Sequence, residues 1–237
     1  MAAVAQPELK PAPATPIQEK RVELGGPTWD PAWDAIVEKA LPDDMLKSDR
    51  VRRDVRGYCP RFGVISEADK RAFWAYFFQA LAGAETGLKP DTSVRHTEPE
   101  VAVKDGVTKR TVRQEGLLQL TYEDAVRYNC DFDWDADKKL PVKDSDKTIL
   151  QPKNNLECGV KILDNQLNVL HRPLLSSKSY WATLQPGTMS FRVFAKQMAN
   201  VPAVCKVDPN VNLAKTQHGK PSVARPAEVA ARSTGAR

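Results

Sequence analysis

Apolar residues recur at helical spacing along most of the chain, most densely just before its middle. From Ser66 onward, Phe73, Phe77 and Leu81 fall at i, i+4 and i+8, with Trp74 and Phe78 beside them. That apolar face is too wide for a surface helix and predicts a central, buried one. Ser66 can cap its start, and Glu67 and Asp69 fall in the first turn, where the helix dipole favours acid. Gly87 is a natural C-terminal cap, and Pro90 stops any continuation. Shorter helices are expected over 29–41 and 48–58. The period then changes: VAVKDGVTKRTVR sets β-branched residues around a KDG turn and predicts a small hairpin over 101–113. Thr121 and Asp124 form a capping-box-like start for a helix through Tyr128, and Pro152 suits the first turn of another reaching about Leu170. Two more are expected over 177–184 and 190–200. The fold class is α+β, mainly α, with one small sheet inserted after the central helix.

Composition changes this picture at the two ends. Residues 1–28 are proline-rich and short of aromatics, an extended, flexible lead-in, and 206–237 are basic with almost no large apolar residues, a mobile tail. The domain itself is expected over 29–205. No membrane span is expected, because the longest apolar block, Ala72 to Ala84, is interrupted by Gln79. The first residues lack a basic region and an apolar core, so no signal peptide is expected in this sequence.

The net charge of +5 favours acidic partners such as nucleic acid, anionic membrane or bacterial cell wall. Basic residues are interspersed with nearly as many acids, and no zinc-finger, RNA-recognition or Walker pattern appears, so nucleic acid is not expected as a partner. Cysteines stand at 59, 130, 158 and 205, without a CxxC and with only three histidines, so neither a metal nor another cofactor is expected. They read either as two disulfides of an exported protein or as separate buried thiols. Cys130 with Cys158 is the favoured bridge, because the segments around them flank the same motif region.

The chemistry begins at the end of the central helix, in ALAGAETGLKP. Glu85 falls in its last turn, where the dipole opposes a negative charge, and behind an apolar run that would desolvate it. Both effects raise a carboxyl pKa, and an acid that keeps its proton near neutral pH is what cleavage of a glycosidic bond requires. The alternative is a solvated glutamate at a frayed helix end.

Two further blocks accompany Glu85: EGLLQLTYEDA after the hairpin, and QPKNNLECGVKIL at the opening of a later helix. With Glu85-Thr86, Gly116-Leu117-Leu118-Gln119, and Asn155-Leu156 followed by Gly159 and Leu163, the chain resembles the lysozyme and lytic transglycosylase superfamily, the soluble-transglycosylase type in particular. That family carries Glu-Ser, Gly-Leu-Met-Gln and Asn-Ile or Asn-Leu blocks in this order, and the resemblance covers about Ser66 to Leu170. It implies a lysozyme-like fold whose hairpin lies beside an active-site cleft. It also implies a peptidoglycan glycosidase, cleaving between N-acetylmuramic acid and N-acetylglucosamine, with Glu85 as general acid and base. The implied partner is the peptidoglycan glycan strand, acted on by a monomer in the periplasm or outside the cell. Thr86, Gly116, Leu117, Leu118, Gln119, Tyr122 and Tyr180 are the implied substrate-side residues. For Leu117 and Leu118 plain core packing, and for Gln119 a structural hydrogen bond to the Glu85 turn, are the alternatives; Asn155 and Gly159 read as packing and capping residues. The sequence departs from the family at Gln114, in a longer segment between Glu85 and Gly116, and in lacking an Ala-Tyr-Asn-x-Gly block. Tyr180 is the candidate substitute for that block's tyrosine, with a core aromatic as the alternative.

A hydrolase normally adds a second carboxylate, whereas a lytic transglycosylase uses one glutamate and the N-acetyl group of its substrate. Glu98, Glu100 and Glu115 are the candidates for that second acid; Asp105, in the hairpin turn, is expected to be solvated. A non-catalytic wall-binding or assembly protein of the same fold is the competing class.

Overall fold

The computed structural model describes residues 27–97 and 102–206. The predicted lead-in and tail, apart from residues 27, 28 and 206, lie outside these, as do Glu98 and Glu100. The described residues form a mainly helical α+β fold built around one long helix. Helices α1 (Pro31–Ala40), α2 (Asp43–Lys47) and α3 (Asp49–Asp54) precede α4 (Glu67–Thr86). Strands β1 (Ser93–Arg95) and β2 (Arg113–Glu115) follow, then α5 (Glu123–Arg127), α6 (Trp134–Asp137), α7 (Pro152–Asp164) and α8 (Met189–Met198).

The central helix is as the sequence predicts. Ser66 accepts the N–H of Asp69 at its start, and Gly87 ends it in the left-handed conformation, at φ 61°. Phe73, Trp74, Phe77, Phe78 and Leu81 are fully buried, because α1 and α8 pack against α4 and α7 adds to the same core. The aromatic rings meet edge to face, with Phe77 against Trp74, Phe78 and Phe194 at centroid separations of 5.2, 5.8 and 5.2 Å. Each such pair adds about 1 kcal/mol beyond the area it buries.

Helices α2 and α6 are not foreseen from the sequence, and two of the predicted elements take another form. The regular strands flank the predicted hairpin and overlap it only at Arg113: β1 pairs antiparallel with β2, Ser93 opposite Glu115, while within the predicted span an isolated bridge joins Lys104 to Thr111. The KDG segment is the tip of this longer ribbon, where Asp105 is buried instead of solvated because it accepts the N–H groups of Val107 and Thr108. The expected helix over 177–184 is only a short 3-10 turn at Ala182–Leu184. Its residues are drawn into other bonds: Ser179 Oγ donates to the Leu174 carbonyl, the Ser179 carbonyl accepts from Gln185 Nε2, and Trp181 Nε1 donates to the Leu118 carbonyl. Helix α7 ends at Asp164 and continues as a wider π turn over Asn165–Val169.

Both disulfides form, and among the described residues no cysteine is free. Cys130 joins Cys158, the pair favoured from sequence, and Cys59 joins Cys205 across 146 residues. No helix among the described residues is long and apolar enough to cross a membrane. A cross-link stabilises chiefly by restricting the unfolded chain, more so for longer loops. Removing the long bridge by Cys59→Ala with Cys205→Ala should cost about 5 kcal/mol, and removing the short one about 3.5 kcal/mol. Urea denaturation of each double variant measures the difference.

Candidate active site

Glu85 sits in the last turn of α4, half-buried, with its carboxyl above the ordinary glutamate range. Desolvation by burial is the main cause, and the Thr183 hydroxyl opposes it. Thr183 is itself buried and completes no full hydrogen bond, so it lies against the carboxyl without neutralising it. No local sequence signal points to Thr183, because it reaches this position from the 3-10 turn almost a hundred residues further along the chain.

The helix end is held from one side by the turn at residues 115–120. Gly116 adopts φ 76°, and a Cβ there would come within 2.2 Å of Asn155 Nδ2 and 2.9 Å of the Ile149 carbonyl. The residue must therefore be glycine, both for its conformation and for the close approach. Asn155, fully buried on α7, donates to the carbonyls of Glu115 and Ile149 at 3.1 and 3.0 Å and accepts the Leu118 N–H at 2.8 Å. The Thr86 hydroxyl lies 3.0 Å from the Ala82 carbonyl and 3.2 Å from that of Leu117, so its one proton is shared between the helix and the turn. Trp181 Nε1 donates to the Leu118 carbonyl, and Gly116 N to that of Thr92. The three motif blocks thus meet in space: Glu85-Thr86 touches the Gly116 turn, which is clamped by Asn155.

The other expected site residues fall into two groups. Leu117 and Leu118 are fully buried, and Leu118 packs so closely on Gly159 that a Cβ there would come within 2.2 Å of it. Gln119, also buried, donates through Nε2 to the Gly116 carbonyl, the structural bond within the turn. Tyr122 is buried and donates to Asp137. Tyr180 donates to the buried Asp124 at 2.6 Å and packs edge-on against Trp181 and Tyr128. Burial raises the Asp124 carboxyl, while its bonds from Tyr180 and Thr121 pull it back down.

Of the candidate second carboxylates, Glu115 lies in the structure, buried and paired with Lys147 at 2.7 Å, with Ser93 Oγ donating to the same oxygen. A buried pair of this kind loses about 3–5 kcal/mol when one partner is removed. A cavity of about 510 Å³ opens beside Glu115, between the strand ribbon and residues 134–147, and Glu85 is not among its lining residues.

No known family model matches the chain, and no curated protein sequence matches it. Among solved structures the fold is similar to DslA of Bdellovibrio, at 24% identity and a TM-score of 0.56, covering 74% of this chain and 91% of that one. Two DslA structures with a glutamate replaced by glutamine match in the same way, with TM-scores of 0.56 and 0.55 at 24% and 23% identity. At this identity the likeness is one of fold.

Two predictions follow from the clamp and from the carboxyl. Asn155→Ala strands three buried backbone groups and should cost about 3–4 kcal/mol in chemical denaturation. Because the folded pKa of Glu85 is raised, the native state holds a proton that the unfolded chain releases, so this group costs stability once pH rises above the unfolded value. The penalty is complete above the folded pKa. Glu85→Gln should therefore melt at a higher temperature than the parent at pH 7, with the difference vanishing by about pH 4.

Proposed function

We propose that this chain is a lysozyme-like peptidoglycan glycosidase, cleaving the β-1,4 bond between N-acetylmuramic acid and N-acetylglucosamine with Glu85 as general acid. The observation that supports it most directly is the state of Glu85, a desolvated carboxyl with a raised pKa on a rigid helix end. Such a group is protonated where an ordinary glutamate is not, and it can donate to the glycosidic oxygen as the bond to the sugar carbon breaks. The resulting carboxylate then takes a proton from the incoming nucleophile. Water as nucleophile gives hydrolysis; the 6-hydroxyl of the same sugar gives an anhydro ring. Both routes share the first step.

The clamped turn supports the reading through geometry. A general acid works only if it is held where the leaving oxygen will be, and Thr86, Asn155 and Trp181 fix the segment against which the Glu85 turn packs. The three acids beside the ribbon are engaged elsewhere: Glu115 by Lys147, Asp105 by backbone N–H groups, and Asp137 by Tyr122 and Thr148. The reading therefore rests on Glu85. The two disulfides suit an oxidising compartment outside the cytoplasm, where the wall lies.

Glu85→Gln should reduce release of soluble fragments from purified sacculi about 10²–10⁴-fold while leaving sedimentation with sacculi unchanged. Mass spectrometry of the fragments made by the parent protein separates the routes: reducing ends for hydrolysis, anhydro ends for transglycosylation. Undiminished release by the variant would overturn the proposal, and binding without release by the parent would favour a wall-binding protein.

A further inference from the structure

The 510 Å³ cavity between the strand ribbon and residues 134–147 is lined by seven cationic and three acidic side chains. The acids are used internally: Glu115 faces Lys147, Asp105 accepts two backbone N–H groups, and Asp137 accepts from Tyr122 and from Thr148. Lys138 is paired with Asp135. Among the described residues five cations have no carboxylate partner, namely Arg95, Lys104, Lys109, Arg110 and Arg113. Their contacts are with neutral groups: Arg95 with the Thr111 hydroxyl, Lys109 with the Gly106 carbonyl, Arg113 with the Ser93 hydroxyl, and Arg110 with the Trp134 ring.

The ladder adds a second, independent observation. Arg95 and Arg113 stand directly opposite each other in the register of β1 and β2. Like charges in that position destabilise a strand pair, and here the pair is only three residues long. An anion seated between them would remove that repulsion. The cations are also spread out: two guanidinium groups at the ladder, Lys104 at the bridge to Thr111, and Arg110 across the cavity against Trp134. Cations placed on both strands and across the cavity suit a short chain with separated carboxylates better than a compact single anion. Leu140 and Val142 with the Trp134 ring give such a chain an apolar surface for its body.

We propose that this cavity binds the carboxylates of the short peptides carried by peptidoglycan, so that the protein holds its substrate by peptide as well as by glycan. The identity of the ligand rests on the glycosidase reading; the anion site itself rests on the cavity. Arginine is suited to the task, since its fork takes a carboxylate by two parallel bonds.

The test uses the full chain and two probes: the peptides released from sacculi by an amidase, and the peptide-free glycan left behind. Calorimetry at low salt should show the free peptides binding the parent, at least tenfold more weakly to Arg95→Gln/Arg110→Gln, and unchanged to the remote surface variant Lys153→Gln. The double variant should cleave peptide-free glycan at the parental rate and lose the parent's preference for intact sacculi. Peptides that bind parent and double variant alike would overturn the proposal, as would binding of inorganic phosphate or a phosphodiester polymer, but not of peptides, through the same arginines. Failure of the parent to cleave either glycan would strike the glycosidase reading alone, because peptide binding is measured without cleavage.

Discussion

The side chain of Asn155 holds together parts of the molecule that are distant in sequence. It is fully buried, and its amide serves two carbonyls and one N–H from the segments at Glu115–Leu118 and Ile149. Without it, a turn with two left-handed residues, Gly116 and Gln119, would leave its polar groups unpaired in an apolar interior. With it, the carbonyls from Glu115 to Leu118 are all occupied, by Asn155, Gln119, Thr86 and Trp181. The end of α4 thus rests against a surface that cannot shift without breaking several buried hydrogen bonds. The position of Glu85 inherits that rigidity.

Rigidity and desolvation work in different ways on the acidic groups of this fold. Glu85 is half-buried and desolvated beside a hydroxyl, so its neutral form is favoured. Glu115 is more deeply buried but meets Lys147, which compensates its charge. Two glutamates thirty residues apart are thereby given opposite tasks, one able to give up a proton and one fixed as half of an ion pair. The choice lies in what each packs against and not in its depth.

The same contrast explains what could be read from the chain alone. Helix α4, its caps and the position of Glu85 were legible because they depend on local signals: the apolar period, Ser66 and Gly87. The three motif blocks were legible as an ordered set, but the clamp was not, since Asn155 read only as a packing and capping residue and its partners at Glu115, Leu118 and Ile149 are set by the fold. The strand pairing was not, because Ser93–Arg95 lacks apolar alternation and finds its partner some twenty residues away, with arginines facing each other. Thr183 was hidden for a similar reason, since its place against Glu85 is made by the route of a loop pinned through Gln166 and Trp181. The 177–184 segment has helix-compatible residues, yet those tertiary bonds outweigh its local preference.

The Cys59–Cys205 bridge encloses nearly everything described above, from the end of the first helices to the last described turn. In mechanical terms it is a short circuit. Tension applied through residues before 27 and after 206 runs along α1–α3, crosses the sulfur–sulfur bond and leaves again within one residue. The central helix, the Asn155 clamp and the strand ribbon all lie in the bypassed loop, so the covalent path carries the load past them. A body pulled or tethered by its two ends would keep Glu85 in register while its outer helices gave way.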